Sequence, residues 1–336
     1  MKRLILILFL FGFITHIFSQ VDAHFSLFEY TQNIVNPGAS GSNDAACFTT
    51  SHRQQWIGMK VSSNINGSST TEDESGRPIS TVFSFDMPIR KIKSGIGIAA
   101  LQDKIGFQND ISIKINYAYR IEIGKDNILG VGVGLGIINR NINPNWVTYD
   151  GNNPSISGQI YSDPILPHMD QIVAFDMNLG LTMFGKDYWA GVSTTHLTSP
   201  KLKYTGINDA EYYSRIVQQI YLMGGYTFHL SNPSWDIVTS AAVQTSRVSA
   251  IEFQLNGKFM YQQKFWFGVS GRIDAICPMV GMHLNAGQTG ILSFGIAYDI
   301  SLNKVGAGGS AEIMARYCFN LTREKGLTRV KTTRRL

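Results

Sequence analysis

Charge is scarce in this sequence: Asp, Glu, Lys and Arg together make up 16% of the 336 residues, against roughly 25% in an ordinary soluble domain. Long apolar runs are scarcer still. One continuous block exists, Leu4 to Phe18, and the mean hydropathy is −0.02, which excludes a bundle of membrane helices. Cysteine is limited to Cys47, Cys277 and Cys318, an odd number, widely spaced, with no CxxC and no neighbouring His cluster. That excludes a zinc or redox signature and argues against a disulfide framework, so the three are expected to be small side chains within strands. The seven histidines form no HxH or HExxH spacing, and GxSxG, P-loop and paired-carboxylate patterns are missing. No enzyme, metal site or cofactor is therefore expected. Ser112, Ser270 and Ser293 read as structural strand serines.

The apolar block at the start follows Lys2-Arg3 and precedes Ser19-Gln20. A basic head, a short apolar middle and a small residue is the order of a secretory signal peptide, with cleavage expected after Ser19 and a retained anchor as the alternative. Basicity, pI about 9.0, is concentrated at the other end. Beyond Phe319, six Lys and Arg residues stand against Glu324, a net of about +5, which leaves a body of about −2 once the two signal-peptide cations are also set aside. Nucleic-acid binding is not indicated.

What is abundant is Gly, 33 residues, and aromatics, with 14 Tyr, 19 Phe and 5 Trp. They are distributed with period two. Ile111, Ile113, Ile115, Tyr117, Tyr119 and Ile121 alternate with Ser112, Lys114, Asn116, Ala118, Arg120 and Glu122, and Leu129 to Ile137 alternates with Gly130, Gly132, Gly134 and Gly136. Such runs have the length, about 9 to 11 residues, that a tilted strand needs to cross a bilayer. One face is apolar and the other small or polar, which suits lipid outside and a crowded lumen inside. Aromatics near the strand ends, such as Tyr117, Phe259, Tyr261, Phe265, Tyr298, Tyr317 and Phe319, read as interfacial girdles.

Strands are expected at 46–56, 79–87, 94–101, 110–121, 127–137, 171–181, 187–195, 215–227, 235–246, 251–261, 264–272, 276–284, 290–299 and 309–319. The fold class is thus all-β, a transmembrane antiparallel outer-membrane barrel of about 14 strands. Long gaps (57–78, 138–170, 196–214) follow odd strands and short ones (122–126, 262–263) follow even strands. That is the asymmetry of external loops against periplasmic turns, with both termini periplasmic. The organisation expected is 1–19 signal peptide, 20–45 lead segment, 46–319 barrel and 320–336 basic periplasmic tail.

Charges on the inward register are Arg53, Asp86, Lys114, Arg120, Asp176, Glu252, Lys258, Arg272, Glu312 and Arg316. Mixed signs suggest a lumen network rather than the one-signed ring of a selective pore. Arg53 is expected either to meet a carboxylate such as Glu312, where first and last strands close the barrel, or to point into loop solvent. Trp146, Tyr149, Tyr204, Tyr212 and Tyr213 in the long loops are candidate partner-binding aromatics, or loop-packing and girdle residues.

Gln20 to Ser26, followed by Asn36-Pro37-Gly38-Ala39-Ser40-Gly41, resembles the mature start of the PorP/SprF family. His52-Arg53-Gln54-Gln55-Trp56 is similar to that family's Tyr-Arg-Asn-Gln-Trp segment, and Gly308-Gly309-Ser310-Ala311-Glu312-Ile313 to its closing Gly-Ser-His-Glu-Ile, with Tyr298-Asp299 placed before it. Departures are Gly38, Ser40, His52, Ala311 and the basic tail. The resemblance implies a non-enzymatic outer-membrane component of type IX secretion and gliding in Bacteroidota. Its implied partners are the lipid bilayer, a secreted cargo such as an adhesin with a C-terminal signal domain, and translocon or motor components. The competing reading is a passive diffusion porin or solute transporter.

Overall fold

A computed structural model of the chain describes residues 22–57, 77–106, 108–142, 170–205, 211–246, 251–287, 290–302 and 308–319. The segment expected to be a signal peptide, the Ser62–Ser75 stretch, the 143–169 segment with Trp146 and Tyr149, and the basic tail lie outside them. The strands are β1 (Ala46–Gln54), β2 (Ile79–Ile89), β3 (Ser94–Ile105), β4 (Gln108–Ile123), β5 (Asn127–Ile142), β6 (Asp170–Phe184), β7 (Tyr188–Thr195), β8 (Lys201–Thr205), β9 (Glu211–Arg215), β10 (Gln219–His229), β11 (Trp235–Ser246), β12 (Glu252–Tyr261), β13 (Phe265–Arg272), β14 (Ala275–Ala286), β15 (Gly290–Ser301) and β16 (Ser310–Phe319). All but β8 and β9 join in one closed antiparallel meander, and β1 pairs with β16 to complete it.

Alternation sets the two faces. On β4 the side chains of Ile113, Ile115 and Tyr117 point outward and are exposed, while Ser112, Lys114, Asn116 and Ala118 are buried inside. Phe253, Leu255 and Phe259 do the same on β12, opposite buried Gln254, Asn256 and Lys258. In water this outer belt would be a large unsatisfied apolar surface; in a bilayer it is the solvated face. Aromatic pairs gather on the outside near one end: Phe48–Phe85 (4.5 Å), Tyr226–Phe228 (4.5 Å), Trp235–Tyr261 (4.8 Å) and Tyr317–Phe319 (5.6 Å). That end carries the short connections 90–93, 124–126, 185–187, 230–234, 262–264 and 287–289. Gly124 turns there with φ +69°, a conformation that favours glycine.

The other end carries 55–78, 143–169 and 196–218, alongside the short 106–107 and 273–274. Here the structure adds something to the expected pattern. The segment 196–214, expected as plain loop, holds the hairpin β8–β9, paired from Lys201↔Arg215 to Thr205↔Glu211. Leu202, Tyr204 and Ile216 are buried with Ile138 and Ile142 of β5. Apolar inward residues at the top of β5 thus give the hairpin a place to dock.

A second difference concerns cysteine. Cys47 and Cys318 face each other across β1 and β16 and form a disulfide that spans 271 residues of sequence. The odd cysteine count and wide spacing pointed away from pairing because strand register is invisible in spacing: only closure of the sheet brings the two together. Cys277 is the buried strand cysteine that was expected of all three.

The disulfide staples the seam near the short-turn end. In the chain-entropy picture so long a loop contributes at most about 5 kcal/mol. Cys318→Ser, or reduction, is expected to lower the temperature at which the barrel loses its heat-modifiable migration on gels by several degrees. An unchanged transition would show that hydrogen bonding alone holds the seam.

Candidate functional site

The lumen is occupied by the chain's own segment 22–45. Its backbone makes three short helical turns, Phe28–Tyr30, Gln32–Val35 and Pro37–Ala39. The apolar side chains Phe25, Leu27, Phe28, Tyr30 and Ile34 are buried, distributed over three clusters with different parts of the wall. Leu27 and Tyr30 pack with Met260, Trp266, Met279 and Met314. Each such side chain contributes roughly 1.5–3 kcal/mol by burial.

Polar anchors run along its length. At the long-loop side Ser26 and Leu27 donate their backbone N–H groups to Glu312 (2.6 and 3.2 Å). Arg53 reaches Asp299 at 2.5 Å, Glu312 at 3.6 Å and the Ser26 hydroxyl at 2.9 Å. Arg272 joins Asp299 at 2.8 Å, and Gln254 and Asn256 donate to the Ser26 carbonyl (2.8 and 3.2 Å). Two guanidinium groups, two carboxylates and a stretch of lead backbone thus meet in a buried network. Lower down, Lys258 pairs with Glu29 of the lead and lies over the Tyr30 and Trp266 rings at 5.2 and 4.9 Å.

Near the short-turn end the lead runs against glycines. Asn36 donates to the Leu181 carbonyl (3.1 Å) and accepts from the Gly38 N–H (2.9 Å), a fixed Asn-Pro turn. A Cβ on Gly132 would meet the backbone of Pro37 and Gly38, and one on Gly95 the backbone of Ser40. Gly41 then donates to Asp86 (2.9 Å), and Asp44 pairs with Arg120 (2.8 Å) before β1 begins.

The first described residue, Asp22, meets His196 (2.9 Å), Thr195 (3.0 Å) and Tyr221 (2.8 Å). His196 follows β7 and also lies 3.0 Å from Asp176, which Lys114 approaches at 3.1 Å. Burial by itself would raise the Asp22 carboxyl, but His196, Lys114 and the Tyr221 hydroxyl override it and hold Asp22 well below the usual carboxylate range. Burial also opposes charge on His196, yet Asp22 and Asp176 outweigh it and push the imidazole up to about 9. His24 goes the other way, to about 4, through burial and the nearby Arg272 and Arg53. It sits neutral against Gln254, with Glu252 at 3.8 Å.

The inward charges read from the sequence are therefore placed as follows. Arg53 with Glu312, and Lys114 with Asp176, meet wall to wall. Asp86, Arg120 and Lys258 are taken by the lead, Arg316 lies 6.0 Å from the Tyr30 ring, and Arg272 meets Asp299. Glu29, Asp44 and His196 were not singled out from the sequence as site residues, and Asp22 and Asp299 stood there only within the motifs of the family resemblance, not as members of the charge network. A run of inward glycines opposite an Asn-Pro-Gly segment was the signal available for the lead's path. Of the loop aromatics, Tyr204 on β8 of the hairpin is buried and Tyr213 on β9 is 62% exposed. Tyr212 stands opposite Tyr204 in register, and Trp146 and Tyr149 lie outside the described residues.

A closed barrel with an apolar outer belt, a charged inner wall and its own N-terminal segment as filling defines a transmembrane barrel protein of the outer membrane. Residues 17–317 match the family described as type IX secretion system membrane protein PorP/SprF, and the chain belongs to that family. No curated protein matches it. Among solved structures it is similar to a Pseudomonas aeruginosa FadL homologue (10% identity, TM-score 0.49, covering 85% of this chain and 93% of that one). Others are the CymD monoaromatic hydrocarbon channel (8%, 0.49, 89% and 94%) and the Pseudomonas putida toluene transporter TodX (9%, 0.45, 85% and 92%).

Two outcomes follow for the lead. Gly132→Ala forces lead and wall apart, a strain of roughly 1–3 kcal/mol, and is expected to raise single-channel conductance in planar bilayers and to expose the lead to protease. Gly257→Ala, where a Cβ meets nothing within 4 Å, should do neither. The Asp22–His196 anchor is also pH-dependent. A raised imidazole pKa stabilises fully below the unfolded value near 6.5 and is lost as pH rises through about 9. A lowered Asp22 pKa stabilises above the ordinary carboxylate range. Amide exchange at 22–27, corrected for intrinsic rate, should therefore accelerate between pH 8 and 10, and His196→Gln should remove that step.

Proposed function

We propose that this barrel assists the export or surface attachment of specific secreted proteins, adhesins among them, and conducts no solute of its own. One observation carries the choice against a diffusion porin: the lumen is filled by a segment whose polar anchors, from Asp22–His196 to Asp44–Arg120, run from the long-loop side to the short-turn end. Removing one partner of a buried ion pair costs about 3–5 kcal/mol, so a lead held by several such pairs is a permanent filling, not a gate that thermal motion opens. Family membership supplies the secretion system.

With the lumen unavailable, recognition falls to the two ends. At the long-loop end the surface includes the exposed Tyr213, with Trp146 and Tyr149 as further candidates; a cargo's C-terminal signal domain docks there. At the short-turn, periplasmic end the basic tail of 320–336 meets an acidic translocon or motor component, or anionic lipid head groups. The role is non-enzymatic: a receptor and anchor rather than a conduit.

Deletion of the gene is expected to leave outer-membrane permeability to small solutes unchanged while removing one or a few proteins from the cell surface, read by surface proteomics and dye influx. Reduced uptake of a nutrient with an intact surface proteome would establish the porin reading instead.

A further inference from the structure

A cavity of 410 Å³ lies at the long-loop end, between the inner wall of β3–β5, the start of β10 and the lead. The role proposed above makes no use of it. Its walls are aliphatic, with Leu101, Ile105, Ile138 and Ile142 on the strands and Ile34 on the lead. Across them runs a polar band. Asp103 stands directly opposite Asp110. The guanidinium of Arg140 engages Asp110 through two nitrogens at 2.6 and 2.9 Å. Asp103 receives the Ser80 hydroxyl at 2.6 Å, and among the described residues no cation stands at ion-pair distance from it.

Two further side chains on the lining are unmet. The Gln219 Oε1 and the Ser112 Oγ are buried, with residue exposures of 1% and 8%, and neither has a hydrogen-bond partner among the described residues. A buried acceptor left unmet costs about 1–3 kcal/mol, and buried polar groups are ordinarily satisfied. The cations that also line the cavity are already neutralised: Arg140 by Asp110, Lys114 by Asp176, and His196 by Asp22 and Asp176. Arg215 is exposed. The unfilled need is for donors and positive charge within an aliphatic enclosure.

We infer that this cavity binds a primary ammonium group carried on a short aliphatic body. An ammonium offers three donors and no acceptor, matching a carboxylate, an amide oxygen and a hydroxyl. A carboxylate ligand would face Asp103 with like charge, and a purely apolar one would leave Asp103 without a counter-charge and the Gln219 and Ser112 oxygens unmet. Two sources share this chemistry. One is the amino terminus of the processed chain, which the expected cleavage after Ser19 would put at Gln20, two residues before Asp22 of the cavity lining. The other is an amine of an outside molecule, such as a lysine side chain.

The test uses the mature full-length protein in detergent. Calorimetric titration with n-butylammonium chloride, butanol and sodium butanoate is combined with acetylation of the amino terminus followed by mass spectrometry. An outside amine is indicated if butylammonium binds at least tenfold more tightly than the other two and Asp103→Asn weakens it at least tenfold. The chain's own terminus is indicated if butylammonium does not bind and acetylation is at least tenfold slower in the wild type than in Asp103→Asn. Gln219→Met serves as the second variant should Asp103→Asn fail to fold. Butanol or butanoate binding as well as butylammonium, or no binding together with a freely acetylated terminus, would overturn the inference. None of these readouts depends on the secretion role.

Discussion

The inner wall of this barrel carries charges that its strands alone do not satisfy, and the lead segment completes them. Glu312 illustrates the dependence: it faces Arg53 from the neighbouring strand and also receives two backbone N–H groups from Ser26 and Leu27. Lys258 and Arg120 find their partners on the lead. Desolvated charges cost several kcal/mol each unless paired and hydrogen-bonded, so an empty barrel with this wall would be penalised at every one of these sites. Lead and barrel are consequently one folded unit.

Packing repeats the same logic without charge. The lead's apolar side chains fill the gaps between inward strand residues, and inward glycines of β3 and β5 let its backbone approach where any Cβ would collide. Strands that look under-filled when read singly are complementary to a partner from elsewhere in the chain. The disulfide between Cys47 and Cys318 closes the same structure covalently at its seam. A wall closed by hydrogen bonds and a disulfide, around a lumen occupied from within, leaves the two rims and the lipid-facing belt as the surfaces through which a secretion component of the PorP/SprF family can act.

The strand pattern was legible from side-chain alternation alone. Ile111 through Ile121 declare one face of β4, and the even strand number with long gaps on alternate sides follows from counting such runs. Period-two patterning is a local property, readable within ten residues, and a bilayer enforces it on every strand. The inward register of Arg53, Lys114 and Glu312 was legible for the same reason. The β8–β9 hairpin was less so, because its short strands gain their place only by burial against Ile138 and Ile142.

The sequence by itself determined the barrel, its handling of lipid and the family, since each of these rests on local periodicity or on short motifs in order. Only the tertiary structure decided what fills the lumen and which charges meet. Ser26 and Asp299 are 273 residues apart, Asp22 and His196 are 174 apart, and the two bridged cysteines 271. Contacts at such separation depend on the register of all the strands between, and no local pattern encodes the sum of those registers.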